Sequence, residues 1–250
     1  MKTIFLTSSL GGYRKVIKDG LTFKEIIKCD NSNHFIDRLK EELPKISKMA
    51  FVASNPDGAN KTDEYSNVIK QALNLDGFEI KELSVIDHRF EKNIEQTILS
   101  ADVVFLAGGH VPTQNKYFEE INLKSILKKY DGIIIGQSAG SMNCAEKVYC
   151  PPELDEEVND KNFVRFYKGL GLTNINVLPH YSDLKEMTIS DKRYIEDIVL
   201  PDSYKTDIVT LNNGGFVVIK NNKSIIYGES YLIRNGKITQ INEQEKIKIM

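Results

Sequence analysis

Residues 132–140 read Gly132-Ile133-Ile134-Ile135-Gly136-Gln137-Ser138-Ala139-Gly140, a β-branched run that stops at one glycine and places a serine two positions before the next. Three consecutive isoleucines favour a strand buried on both faces, the kind found inside a parallel sheet. The small residues that follow favour a tight turn, with a helix starting at Ala139. Gly136-Gln137-Ser138-Ala139-Gly140 also matches G-x-S-x-G, in which a serine on a strand-to-helix turn projects its hydroxyl above the sheet. Ser138 is therefore the candidate nucleophile. A Gly-Ser turn without chemistry is the competing reading.

Outward from this elbow, short apolar runs alternate with helix-length amphipathic segments, the pattern of βαβ units around a sheet covered on both faces. Strands are expected over 2–7, 49–53, 79–86, 103–107 and 132–135, and helices over 33–43, 63–73, 91–99 and 118–129. After Cys150-Pro151-Pro152, the acidic stretch 153–160 reads as a surface loop, with closure over a site as a second possibility. Segments 208–211, 215–219, 224–227 and 231–233 are separated by Asn-Asn, Asn-Gly and other short links, which predicts antiparallel hairpins finishing the sheet. The fold class is α/β, mostly parallel with C-terminal antiparallel hairpins, and one domain over 1–250 is the simpler organisation.

The composition excludes several functions. With 33 basic and 35 acidic side chains intermixed, the net charge of −2 leaves no basic stripe for nucleic acid or anionic lipid. No apolar stretch is long enough to span a bilayer, and the N-terminal run is too short for a signal peptide, so a cytoplasmic protein is expected. Cys29, Cys144 and Cys150 are odd in number and lack CxxC spacing, which argues against a disulfide framework and a thiolate zinc site. The expected partner is a small substrate, with a homodimer left open.

A serine hydroxyl needs a general base, most often histidine. Of His34, His88, His110 and His180, only His180 follows the serine, and it stands directly after the apolar run Val177-Leu178-Pro179. Such strand ends are where α/β active sites collect. An oxyanion hole needs two backbone N–H groups. Ala139, after the nucleophile, supplies one candidate, and Gly108-Gly109, after its own strand, supplies the other. Gly108, His110, Gln114, Asn115 and Asn143 lie near these positions in sequence and are candidate substrate contacts.

Ala107-Gly108-Gly109-His110, Gly136-Gln137-Ser138-Ala139-Gly140-Ser141 and Leu178-Pro179-His180-Tyr181 together resemble the dipeptidase E and cyanophycinase family of serine peptidases. Gly108-Gly109-His110-Val111-Pro112-Thr113-Gln114-Asn115 is most similar to its Gram-positive, dipeptidase E-like branch. The resemblance implies a flavodoxin-like three-layer sandwich of the class I glutamine amidotransferase type, with Ser138 in place of the amidotransferase cysteine. It also implies His180 as base, Gly109 and Ala139 as oxyanion donors, and neither metal nor organic cofactor. Dipeptidase E members cleave dipeptides with an N-terminal aspartate, and cyanophycinases an aspartate-arginine polymer.

In one respect the sequence departs from that family. Where an acidic residue before glycine completes the triad, this chain reads Leu211-Asn212-Asn213-Gly214-Gly215-Phe216. Asparagine can accept the Nδ1–H of an imidazole but cannot offset the imidazolium with a full charge. Three explanations stand: a triad containing Asn213, a substitute carboxylate such as Asp183, or reduced or lost activity. An esterase of the α/β-hydrolase type is disfavoured because no histidine follows His180. A non-catalytic binding protein with a decayed triad is the reading from a different class.

Overall fold

The computed structural model describes residues 2–18 and 20–241; Met1 and residues 242–250, the two ends of the expected 1–250 domain, lie outside the described residues. The chain runs β1 (Thr3–Thr7), β2 (Gly11–Lys18), β3 (Leu21–Cys29), α1 (Phe35–Glu42), β4 (Lys48–Val52), α2 (Ala59–Leu75), β5 (Glu82–Ile86), α3 (Ile94–Leu99), β6 (Val103–Leu106), α4 (Val111–Glu120), α5 (Leu123–Lys129), β7 (Ile133–Gln137) and α6 (Ala139–Met142). Then come β8 (Lys147–Tyr149), α7 (Asp155–Asn159), β9 (Phe166–Lys168), β10 (Asn176–Leu178), α8 (Tyr181–Leu184), β11 (Thr188–Ile189) and β12 (Lys192–Arg193). A wide helical turn over Tyr194–Val199 leads into α9 (Leu200–Asp202), followed by β13 (Ile208–Thr210), β14 (Phe216–Lys220), β15 (Lys223–Tyr227), β16 (Ser230–Arg234) and β17 (Lys237–Ile241).

A seven-stranded sheet of order β15-β14-β1-β7-β6-β4-β5 forms the middle layer. From β1 through β7, β6 and β4 to β5 every pairing is parallel, and β14 and β15 close the other edge antiparallel. Side-chain alternation divides the strands between two cores. Ile4, Leu6, Ala50, Val52, Val104, Leu106 and Ile134 pack on one face with Leu123, Ile126 and Leu127 of α5. Phe5, Met49, Phe51, Val103, Phe105, Ile133 and Ile135 pack on the other with α1 and α2, whose Leu39, Ile69, Ala72 and Leu73 recur at helical spacing. The result is the flavodoxin-like three-layer sandwich, with its parallel strands all ending on the same side.

Four features differ from the sequence-based expectation. The C-terminal strands do not all finish the main sheet: β13, β16 and β17 join β10 in a second, four-stranded sheet. There β10 and β13 run parallel, so Leu178 pairs with Thr210 and the two chain segments leave side by side. β2 and β3 pair as an antiparallel hairpin, which was not expected. The expected helix 118–129 is two helices, broken where Asn122 takes a left-handed φ of 53°, which asparagine tolerates. Pro112 sits in the first turn of α4, where its missing N–H has no intrahelical role. Finally, the acidic stretch 153–160 is not all loop. Its middle is α7, whose Glu157 carboxylate accepts the Glu153 and Leu154 N–H groups, as the N3 side chain of a capping box does.

Candidate active site

Ser138 stands between β7 and α6, at the carboxyl end of the sheet. Its backbone has φ 50° and ψ −116°, a conformation that costs a non-glycine residue roughly 1–3 kcal/mol. The surroundings enforce it. The Ser138 N–H donates to the Thr7 carbonyl at 2.9 Å, and the Ser141 hydroxyl donates to the Gly136 or Thr7 carbonyl at 2.7 and 2.8 Å. Both glycines of the motif are required by close approach: a Cβ on Gly136 would come 2.8 Å from the Gly140 carbonyl oxygen, and one on Gly140 would come 2.2 Å from that of Leu106. The tight turn thus presses the start of α6 against β6, and it leaves the Ser138 side chain above the strand ends.

His180 and Asn213 arrive from the second sheet. They follow β10 and β13, and the parallel pairing of those strands sets them adjacent, with the Leu211 N–H donating to the Leu178 carbonyl at 2.9 Å. His180 Nε2 lies 3.0 Å from Ser138 Oγ, and His180 Nδ1 lies 2.7 Å from Asn213 Oδ1. His180 itself takes a left-handed φ of 58°. Ser8, directly after β1, ties the two sheets together: its hydroxyl accepts the His180 N–H at 2.9 Å and donates to Asn213 Oδ1 at 3.3 Å. Ser8 was absent from the sequence-based candidates. Its place just beyond the carboxyl end of the first strand was the available signal. Asp183 does not meet the imidazole; its carboxylate accepts the Asn213 Nδ2–H at 3.2 Å.

Gly108 and Gly109 follow β6, the neighbour of β7. A Cβ on Gly108 would sit 3.3 Å from Ser138 Cβ, and one on Gly109 would collide with the Ser54 hydroxyl at 2.3 Å. At Gly109 there is no room for a side chain, and at Gly108 the fit is tight. Ala139 opens α6, so its N–H has no intrahelical acceptor. A cavity of about 460 Å³ extends from Ala107, Gly108, Gly109 and His110 across Ser54 and Tyr65 to Lys24 and Lys61. Lys24 comes from the unexpected hairpin and pairs with Glu64 at 2.8 Å. The Tyr65 hydroxyl, its ionisation pushed up by burial, donates to Gln137 Oε1 in the elbow.

Three of the expected substrate contacts are turned inward instead. Gln114 and Asn143 are fully buried, and Asn115 nearly so. Gln114 Nε2 donates to the Ala107 carbonyl at 2.6 Å, Asn143 Nδ2 to Gln114 Oε1 at 3.0 Å, and Asn115 Nδ2 to Asn143 Oδ1 at 2.9 Å. Their polar groups hold the Gly108-Gly109 loop against the elbow, which corrects the expectation that they bind substrate. His110 is also occupied, with Nδ1 2.8 Å from Thr113 Oγ1 and Nε2 2.7 Å from Glu157 Oε1. That contact anchors the acidic segment beside the site.

A doubly covered parallel sheet, a serine on a strained strand-to-helix elbow and a histidine within hydrogen-bond reach define a serine-type hydrolase of the α/β class. Among solved structures, the chain is similar to a peptidase from an acI-B1 Actinobacterium, with a TM-score of 0.67 and 16% identity over 99% of this chain and 97% of that one. It is also similar to a candidate peptidase E protein from Listeria monocytogenes EGD-e, with a TM-score of 0.58 and 17% identity over 90% of this chain and 98% of that one. No curated protein sequence matches it. The model of peptidase family S51 matches residues 24–227, and the chain belongs to that family of serine peptidases. Among the described residues, no helix is long and apolar enough to cross a membrane.

Proposed function

We propose that this peptidase hydrolyses small peptides through an acyl-enzyme on Ser138, with His180 as general base, Asn213 as its orienting partner, and Gly109 and Ala139 as oxyanion donors. The observation that carries the reading is the continuous path from Ser138 Oγ through the two His180 ring nitrogens to Asn213 Oδ1, at 3.0 and 2.7 Å. In acylation, Ser138 Oγ bonds to the scissile carbonyl carbon while its proton passes to His180 Nε2, and the carbonyl electron pair moves onto oxygen beside the two backbone N–H groups. Collapse of this intermediate breaks the C–N bond, and the departing amine takes the proton from Nε2. Water then repeats the sequence to free the acid and restore Ser138.

Substrate choice follows from the cavity beside Gly108 and Gly109. Lys24, Lys61 and Glu64 line it; Lys24 is paired with Glu64, whereas Lys61 has no ion-pair partner among the described residues and is the group that favours a peptide carboxylate. Every dipeptide carries such a carboxylate at its C-terminus, so the choice of an N-terminal aspartate rests on the dipeptidase E resemblance rather than on the cavity. The reading takes 1–250 as one cytoplasmic domain that needs no metal or organic cofactor.

A second reading, a ligand-binding relative without turnover, draws on the loss of full charge at Asn213. A panel of dipeptides with varied first residues, run beside the aspartate-arginine polymer and amidated controls, separates the two. Turnover of acidic dipeptides that is lost in Ser138→Ala supports the peptidase. Thermal stabilisation by the same dipeptides with no cleavage supports the binding protein.

A further inference from the structure

We infer that Asp183 is a positioning residue that acts through Asn213, holding the asparagine amide in the one orientation that makes His180 a base. The inference rests on the proposed triad and concerns what replaces its acid. An asparagine side chain presents an acceptor on one side and a donor on the other, and rotation by half a turn exchanges them. Here Oδ1 faces His180 Nδ1 at 2.7 Å and the Ser8 hydroxyl at 3.3 Å, while Nδ2 faces Asp183 Oδ2 at 3.2 Å. Reversed, the amide would set Oδ1 against a carboxylate and Nδ2 against the imidazole. A carboxylate only accepts hydrogen bonds, so Asp183 admits one orientation and rejects the other.

The consequence reaches the nucleophile. With Oδ1 toward Nδ1, the ring keeps its proton on Nδ1, and the lone pair on Nε2 faces Ser138. With Nδ2 there instead, the ring would have to carry its proton on Nε2, where it could not accept one from Ser138. A triad with a carboxylate has no such choice to make, because both of its oxygens accept. The asparagine triad therefore needs a fourth group. Asp183 is well placed for it, since α8 begins at Tyr181, immediately after the histidine it serves.

The test is a double-mutant cycle between positions 183 and 213. Asp183→Asn is isosteric but accepts either orientation of Asn213, so kcat should fall about tenfold with KM little changed. Asn213→Asp together with Asp183→Asn should recover most of that loss, because a carboxylate at position 213 needs no orienting and the new amide at position 183 can donate to it. Asn213→Asp alone sets two carboxylates against each other and should be less active than the double variant. The His180 Nδ1–H proton resonance supplies a readout independent of turnover. It should be sharp and downfield in the parent protein, broadened in Asp183→Asn, and sharp again in the double variant. Equal losses from Asp183→Asn in both backgrounds, at unchanged thermal stability, would show that Asp183 serves only its own helix and overturn the inference. So would an unaltered resonance. If the parent protein shows no turnover at all, the proposed function fails while the resonance still decides the role of Asp183.

Discussion

Gly140 shows how little room the elbow leaves. Its missing side chain lets α6 rest on the Leu106 carbonyl, and the backbone atoms there have nowhere to move without breaking the β6–β7 pairing. Gly140→Ala should therefore destabilise the protein by about 1–3 kcal/mol or more, read as a lower urea midpoint, and should reduce activity beyond what stability explains. An unchanged midpoint would mean that the contact relaxes freely. At this scale the sequence was informative where backbone sterics dictate residue type: two spaced glycines after a β-branched run mark the tight strand-to-helix turn on which Ser138 stands. It was uninformative for amides. Gln114, Asn115 and Asn143 were expected as substrate contacts from their place in the sequence, which does not carry the direction in which α4 and α6 turn them. Asn213 was legible through its neighbours, because Asn213-Gly214 precedes a strand in the expected place, but its bond to Asp183 depends on the loop after β13 meeting α8, which follows β10.

Elements were legible to the degree that their burial was periodic. The parallel strands are apolar almost throughout, and α2 repeats buried residues one turn apart, so both announce themselves. The β2–β3 hairpin does not: it exposes Ile17, Leu21 and Phe23 and intersperses them with lysines, which hides its alternation, although Asp19-Gly20 in the sequence is a hairpin turn signal. The split of the C-terminal strands between two sheets was equally hidden, since hairpin turns look alike whichever sheet they serve. His88 gives this scale its prediction. It stands after β5 and bridges Asp57, in the loop bordering the cavity, to Glu120 at the end of α4, at 2.7 and 3.0 Å. The Asp57 hydrogen bond chiefly raises its pKa above 6.5. A raised value means that the bridge stabilises the fold fully below the unfolded value and ceases to do so as pH rises through the folded one. His88→Gln should thus lower the melting midpoint relative to the parent near about pH 5.5 and leave it unaltered near about pH 9. A difference that persists unchanged at high pH would assign His88 a packing role instead.

Across the whole molecule, the site exists because two sheets meet. The main sheet supplies Ser138, Ser8 and the Gly108-Gly109 loop, whereas the second sheet supplies His180 and Asn213, and the Ser8 hydroxyl bonds to both of these. Cys29, Cys144 and Cys150 are all buried, and burial pushes each thiol up, the environment of structural rather than reactive cysteines. The central claim is that this junction activates one serine. Its most direct test is covalent labelling with a fluorophosphonate, followed by mass spectrometry of the modified peptide. The account predicts a single phosphonate adduct on Ser138, absent from Ser138→Ala and strongly slowed in His180→Ala. A folded parent protein that takes up no label, or that takes it up at the same rate without His180, would contradict it.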